Sequence, residues 1–301
     1  MRNIKIIFGL ALLISQYAIA QQDPQYTQYT FNMNVINPAY AGSKGTLSFG
    51  LLGRTQWVGV KGAPKTITAS MNAPLAKNVG IGLSVIADEI GPAKEQSIFA
   101  DFSYSLKLDV DKTLAFGIKA GISFLNVGML DYLDATEQLN VPVNQTSPNF
   151  GFGTFYHTEH FYFGVAIPNL LKTRYIDIDK GELSTASERM HYFITSGYVI
   201  DMNDTLKLKP SVLVKAVAGA PLSIDLSVNA MISDAIEFGL TYRLDDSIGA
   251  LAAFSVSPDM RIGYAFDYTT SNMGDYNSGS HEIFLLYDFR GRSNGKSPRF
   301  F

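Results

Sequence analysis

Cysteine does not occur anywhere in the 301 residues. That excludes disulfides, thiolate metal sites, cysteine nucleophiles and a lipid anchor on a cysteine after a cleavage site. Long hydrophobic runs are missing as well. Beyond residue 20 no apolar stretch reaches 18 residues, so no helix is predicted to cross a membrane. Basic excess is also absent: the formal net charge is −3, and losing Arg2 and Lys5 with a leader makes the remainder more acidic. That balance argues against nucleic acid as a partner. Neither a glycine-rich phosphate loop nor a GxSxG elbow appears, and histidine is limited to 4 residues. His157 and His160 flank Thr158-Glu159 in what reads as a tight turn without further ligands, so no metal site or cofactor is expected there.

What is present begins with MRNIKIIFGLALLISQYAIA, residues 1–20. Arg2 and Lys5 precede an apolar core from Ile6 to Ile14, and Ala18-Ile19-Ala20 ends it. This is the pattern of a secretory signal peptide, too short to span a bilayer stably.

Most of the remaining chain alternates with period two. Leu222, Ile224, Leu226 and Val228 interleave with Ser223, Asp225, Ser227 and Asn229; Leu114, Phe116, Ile118 and Ala120 interleave with Ala115, Gly117, Lys119 and Gly121. One face is apolar and the other polar, charged or glycine. Such alternation alone fits a soluble sandwich and a membrane barrel equally. Three further features favour the barrel. Strands are predicted at 46–57, 65–72, 79–87, 96–108, 113–125, 148–157, 161–167, 190–200, 205–217, 221–231, 235–243, 247–256, 260–269 and 280–289, an even number of the right length. Connections after even-numbered strands are short, whereas 126–147, 169–189 and 270–279, after odd-numbered ones, are long. The polar face carries both signs of charge, among them Asp225, Glu237, Arg243, Arg261, Asp267 and Asp288, as an enclosed lumen requires. Asp267 and Asp288 are expected to pair with Arg261 and Arg243. Tyr104, Tyr242, Tyr268 and Tyr287, near strand ends, suit interfacial girdles. The predicted fold is an all-β transmembrane antiparallel barrel of about 14 strands.

Residues 21–43, QQDPQYTQYTFNMNVINPAYAGS, break the alternation. Tyr26, Tyr29, Met33, Ile36 and Tyr40 follow one another at intervals of three and four, which is helical spacing. Asn37-Pro38 should stop the helix, since a residue before proline is pushed out of the helical region. A short amphipathic helix over about 26–36 is therefore expected to plug the periplasmic mouth. The chain thus divides into a leader (1–20), a plug segment (21–45), a barrel (46–289) and a periplasmic tail (290–301). Both termini are expected on the periplasmic side of a bacterial outer membrane.

This opening resembles that of the PorP/SprF family of type IX secretion system outer-membrane proteins. The similarity continues through RTQWVGVKGAPKT, residues 54–66, and ends with KSPRFF, residues 296–301. The resemblance implies a non-enzymatic outer-membrane barrel of a protein-export and gliding apparatus. It implies partners of two kinds: periplasmic lipoprotein-ring components of the machine, or a secreted adhesin that the barrel escorts. The only tryptophan, Trp57, is either an interfacial anchor or a partner contact at the outer face. In the tail, Arg299, Phe300 and Phe301 are candidate anchors to a partner. A channel for small or hydrophobic solutes is the alternative function.

Overall fold

The computed structural model describes residues 26–128, 143–171, 174–179, 182–187, 190–217 and 220–289. The leader and the tail, with Arg299, Phe300 and Phe301, lie outside the described residues.

The first wall strands are β1 (Leu47–Thr55), β2 (Lys65–Ala76), β3 (Val79–Ile90), β4 (Ala93–Lys107), β5 (Thr113–Val127), β6 (Val143–His157) and β7 (Phe161–Ile167). A separate hairpin, β8 (Arg174–Asp179) with β9 (Glu182–Ser187), pairs only with itself. The wall resumes with β10 (His191–Tyr198) and its continuation β11 (Ile200–Asp201). It then runs through β12 (Leu206–Val217), β13 (Ser223–Ile232), β14 (Ile236–Arg243), β15 (Ser247–Ser255), β16 (Met260–Thr269) and β17 (Ser280–Phe289).

Each wall strand pairs antiparallel with its sequence neighbour, and β1 pairs with β17 from Leu47↔Phe289 to Thr55↔His281. The sheet is therefore closed. Counting β10 and β11 as one stave, the wall has fourteen staves, as the alternation predicts. Closure leaves no edge of unsatisfied backbone groups in hydrocarbon.

The faces sort as the period-two pattern requires. Ile118, Leu240 and Val228 are exposed on the outside, whereas Lys119, Thr241 and Asn229 are buried within. Tyr104, Tyr242 and Tyr268 are exposed and Tyr287 half-buried, all on the outer face.

The wall differs from expectation at the long-loop end. Residues 88–95 were expected to be a loop, but β3 and β4 continue to Ile90 and Ala93 and pair there around a turn at Gly91. Gly91 has φ 58°, which a glycine adopts without steric cost. The lumen face is also less polar than its pattern implies. Phe99, Phe155, Phe193, Leu213, Leu251 and Phe284 point inward and are buried. They have something to pack against, and that is the segment preceding β1.

Candidate functional site: the plugged lumen

The short helix expected over about 26–36 forms over 29–36 and stops at Asn37-Pro38, but it is not one regular α-helix. A 3-10 turn spans Tyr29–Asn32, one turn of α-helix (α1) spans Met33–Ile36, and a second 3-10 turn spans Pro38–Tyr40. Proline at the first position of that last turn costs nothing, because its missing N–H has no intrahelical partner anyway. Asn37 caps the turn by accepting the Ala39 N–H at 3.0 Å. The physical reason for the mixture of 3-10 and α turns is the enclosure: all sides of this segment meet the wall. Tyr26, Tyr29, Met33, Ile36, Asn37, Pro38 and Tyr40 are all buried, and so are Thr27, Gln28, Asn32 and Asn34. With no solvent face to keep, wall contacts rather than helical periodicity dictate the backbone.

Nor is the plug confined to the short-turn mouth. Thr27 sits near the other end of the lumen, where the tops of β1, β16 and β17 meet. Its N–H and that of Gln28 each donate to Glu282 at 3.0 Å. Its hydroxyl donates to Asp267 and accepts from Arg54 at 2.6 Å. From there the chain descends past Asn34, whose amide donates to Asp101 at 3.2 Å and whose carbonyl accepts from Lys119 at 3.4 Å. It leaves at the short-turn end through Lys44, paired with Asp288 at 2.8 Å, and enters β1.

Wall glycines make the seat. A methyl group at Gly117 would stand 2.1 Å from the Ala39 nitrogen; at Gly80, 2.1 Å from the Ala41 carbonyl oxygen; at Gly153, 2.1 Å from Asn37 Oδ1. At Gly164 it would meet Asn37 Nδ2 at 3.0 Å. Plug backbone thus lies directly on the wall backbone at β3 and β5, and the Asn37 side chain lies on it at β6 and β7. Ser103, beside the track, donates its hydroxyl to the Ala41 carbonyl at 2.6 Å. Apolar packing completes the seat: Phe31 stacks on Phe284 at 4.2 Å, and Tyr40 meets Phe155 edge-on at 5.5 Å.

The charged lumen residues are compensated, with partners other than those expected. Asp267 pairs with Arg54 at 2.8 Å, not with Arg261 or Arg243, and Arg54 also binds Glu282 at 3.1 Å. Asp288 pairs with Lys44. Arg243 clasps Asp225 through Nε and Nη2, both at 2.8 Å, and reaches Asp246 at 3.2 Å. Arg261 binds Glu237 at 3.1 Å, and Asn229 donates to the same carboxylate at 2.6 Å. Lys119 binds Asp101 at 2.8 Å. Alternation puts these charges inside, but their partners differ from those expected because pairing depends on which staves the closed sheet brings together. Arg54 was missed altogether. Its signal was present: in a strand whose other inward positions are small or apolar, it is the single arginine.

Trp57, the candidate anchor or partner contact, is half-buried at the long-loop end. It has φ 45°, a left-handed conformation unusual for a bulky side chain, and its N–H donates to Ser280 Oγ at 3.2 Å. It lines a cavity of about 670 Å³ between the plug and the long-loop end, together with Tyr26, Phe99, Leu125, Phe193 and Leu213. A smaller cavity of about 90 Å³ lies on the short-turn side, beside Lys44 and Asp288. The plug separates the two. His160 lies on a short turn, 3.1 Å from Asp201, and His157 is on β6 beside Phe155. Among the described residues no group of three His, Asp or Glu converges as a metal site.

A closed barrel with an apolar outer band, an internal charge network and a threaded plug is an outer-membrane β-barrel. Solved barrels share the architecture at low identity. The CymD monoaromatic hydrocarbon channel matches at TM-score 0.52 and 10% identity, over 87% of this chain and 94% of its own. A Pseudomonas aeruginosa FadL homologue matches at 0.44 and 15%, over 89% and 95% respectively. No curated protein matches the sequence. The family of type IX secretion system membrane proteins PorP/SprF matches residues 18–287, and the chain belongs to that family. It is therefore an outer-membrane component of protein secretion machinery and works among protein partners. Its family is one of membrane proteins of that secretion system.

Proposed function

We propose that this barrel is a closed docking scaffold of the type IX apparatus rather than a conduit. By the general rule for such barrels, short turns face the periplasm and long loops the exterior. The short-turn rim, with the tail 290–301 that follows β17, would then meet periplasmic lipoprotein-ring components. The long-loop end would meet a secreted adhesin. On this reading the protein has no catalytic role.

The observation that supports it is the seating of Asn37–Ala41 on Gly80, Gly117 and Gly153, where no room for even a methyl group remains. A segment fitted this closely, held at one end by hydrogen bonds from Thr27 and Gln28 to Asp267 and Glu282 and at the other by the Lys44–Asp288 ion pair, obstructs the lumen as a fixed part. A polypeptide in transit would have to displace it. The second reading, a channel for hydrophobic solutes, draws on one observation, the largely apolar cavity above the plug.

Planar-bilayer recording combined with affinity capture separates the two. A docking scaffold predicts negligible conductance by the intact chain, capture of lipoproteins from detergent extracts, and loss of that capture when residues 290–301 are removed. Steady conductance and solute uptake, with no partner retained, would favour the channel.

A further inference from the structure

We propose that the plug has a second function, as the internal template on which the wall closes. It settles on β3–β7 while the sheet is open. The side left uncovered then receives β17 and brings that strand to β1. The inference uses only residues 26–44 and the wall, and it holds whether the barrel docks partners or conducts solutes.

The plug's contacts fall into two sets. Those with the first half of the wall are near in sequence. Ser103 bonds the Ala41 carbonyl across 62 positions, Asn34 bonds Asp101 across 67, and Asn37 Nδ2 donates to the Thr154 carbonyl across 117. Those with the last strands are remote. Thr27 and Gln28 reach Glu282 across 255 and 254 positions, Thr27 reaches Asp267 across 240, and Lys44 reaches Asp288 across 244. Near contacts form ahead of remote ones, because a remote contact must first overcome a larger loop-closure entropy. The seat on Gly80, Gly117 and Gly153 points the same way. With no room for a methyl group, it is easier to reach on an open sheet than through the mouth of a closed ring.

The other side of the plug matches β17. It meets four successive inward residues of that strand. Glu282 accepts the N–H groups of Thr27 and Gln28, and Phe284 stacks on Phe31 at 4.2 Å. Leu286 packs against the buried cluster to which the plug belongs, and Asp288 pairs with Lys44 at 2.8 Å. These four lie directly opposite Arg54, Leu52, Gly50 and Ser48 of β1. Arg54 in turn donates to Thr27 at 2.6 Å, so the plug touches both strands of the seam. It also sets their register. A slip of one residue would turn Glu282 and Asp288 to the outer face, away from their partners on the plug.

The absence of cysteine makes closure readable. Leu51 and Leu285 lie opposite each other on the outer face of the seam, away from the plug. In a Leu51→Cys/Leu285→Cys chain a disulfide reports that β1 and β17 have paired, since pairing brings their Cα atoms within about 5.5 Å. The full chain is refolded into lipid vesicles, and samples taken over time are pulsed with oxidant. Unfolding in denaturant is followed separately by heat-modifiable gel mobility. Asn37→Ala is introduced into this background. Its side chain bonds β6, adjoins β7 and caps the plug's own turn, and it contacts neither strand of the seam. The expected result is a seam cross-link that forms roughly two- to fivefold more slowly, the effect of losing about one cap hydrogen bond. A lesion slows folding only where the interaction is already made at the barrier. Should Asn37→Ala yield no closed barrel, the milder Phe31→Leu gives the same readout. Cross-linking at the parent rate, with only unfolding accelerated, would mean that the plug docks after closure and overturns the proposal.

Discussion

Arg54, on the first wall strand, holds Glu282, on the last, at 3.1 Å, and the two residues face each other across the seam that closes the barrel. Register places them directly opposite, and Asp267 on the adjoining stave completes the group at 2.8 Å from Arg54. The plug enters the same cluster through Thr27 and Gln28. One buried arginine therefore joins closure of the wall to retention of the segment inside it.

Replacing Arg54 with Met should be severe. It leaves Asp267 and Glu282 buried without their cation, and breaking a buried pair from one side costs about 3–5 kcal/mol. The midpoint of heat-modifiable gel migration should drop accordingly. Adding Glu282→Gln to Arg54→Met should recover part of the loss by removing one uncompensated charge. An unchanged midpoint in the single variant would remove the seam cluster from the account of stability.

Gly117→Val should unseat the plug. The new side chain would occupy the space of the Pro38–Ala39 peptide, so either that segment moves or the wall distorts. Raised single-channel conductance together with a lowered melting midpoint is expected. Gly53→Ala is the matched control, because a methyl there meets nothing within 4 Å, and it should behave as the parent. Equal behaviour of the two variants would mean that the glycine track does not seat the plug.

The two faces of the wall can be told apart by arginine substitution. Leu240, in the middle of β14 and 65% exposed on the outer face, should cost about 2–4 kcal/mol when changed to Arg if it lies near the bilayer midplane. Ile224, one residue from the start of β13 at the long-loop end, should cost less, roughly 0–1 kcal/mol, because the penalty falls toward the interface. Refolding titrations into lipid vesicles would measure both. An inverted ranking would move the assigned midplane.

Trp57 provides a built-in probe, being the single tryptophan. Placed in the cavity wall, it should be quenched by a small water-soluble quencher and left nearly untouched by brominated acyl chains. A ring lying at the bilayer interface would give the opposite pattern.

Much of this architecture was legible without coordinates. That Ile118 and Lys119 lie on opposite faces follows from alternation; strand number, loop-length parity and the mixed charges of the polar face together put Lys119 inside, and the parity of loop lengths marks the two ends. The spacing of Tyr26, Tyr29, Met33, Ile36 and Tyr40 marks a segment that is helical and not wall, but it does not show that the helix is irregular and enclosed. Helical periodicity describes a segment with one buried face, and this one is buried on every side. Phe155 and Phe284 likewise look out of place on a polar face until Tyr40 and Phe31 are seen against them.

The sequence by itself determined the strands, their faces and their number, because in-out alternation is a property of neighbouring residues and survives without knowledge of the rest of the chain. Tertiary structure alone decided that Arg54 meets Glu282 and Asp267, that Trp57 turns inward, and that Gly80, Gly117 and Gly153 align into one track. Those relationships join residues dozens to hundreds of positions apart, and they exist only once the sheet has closed and fixed which staves face one another across the lumen.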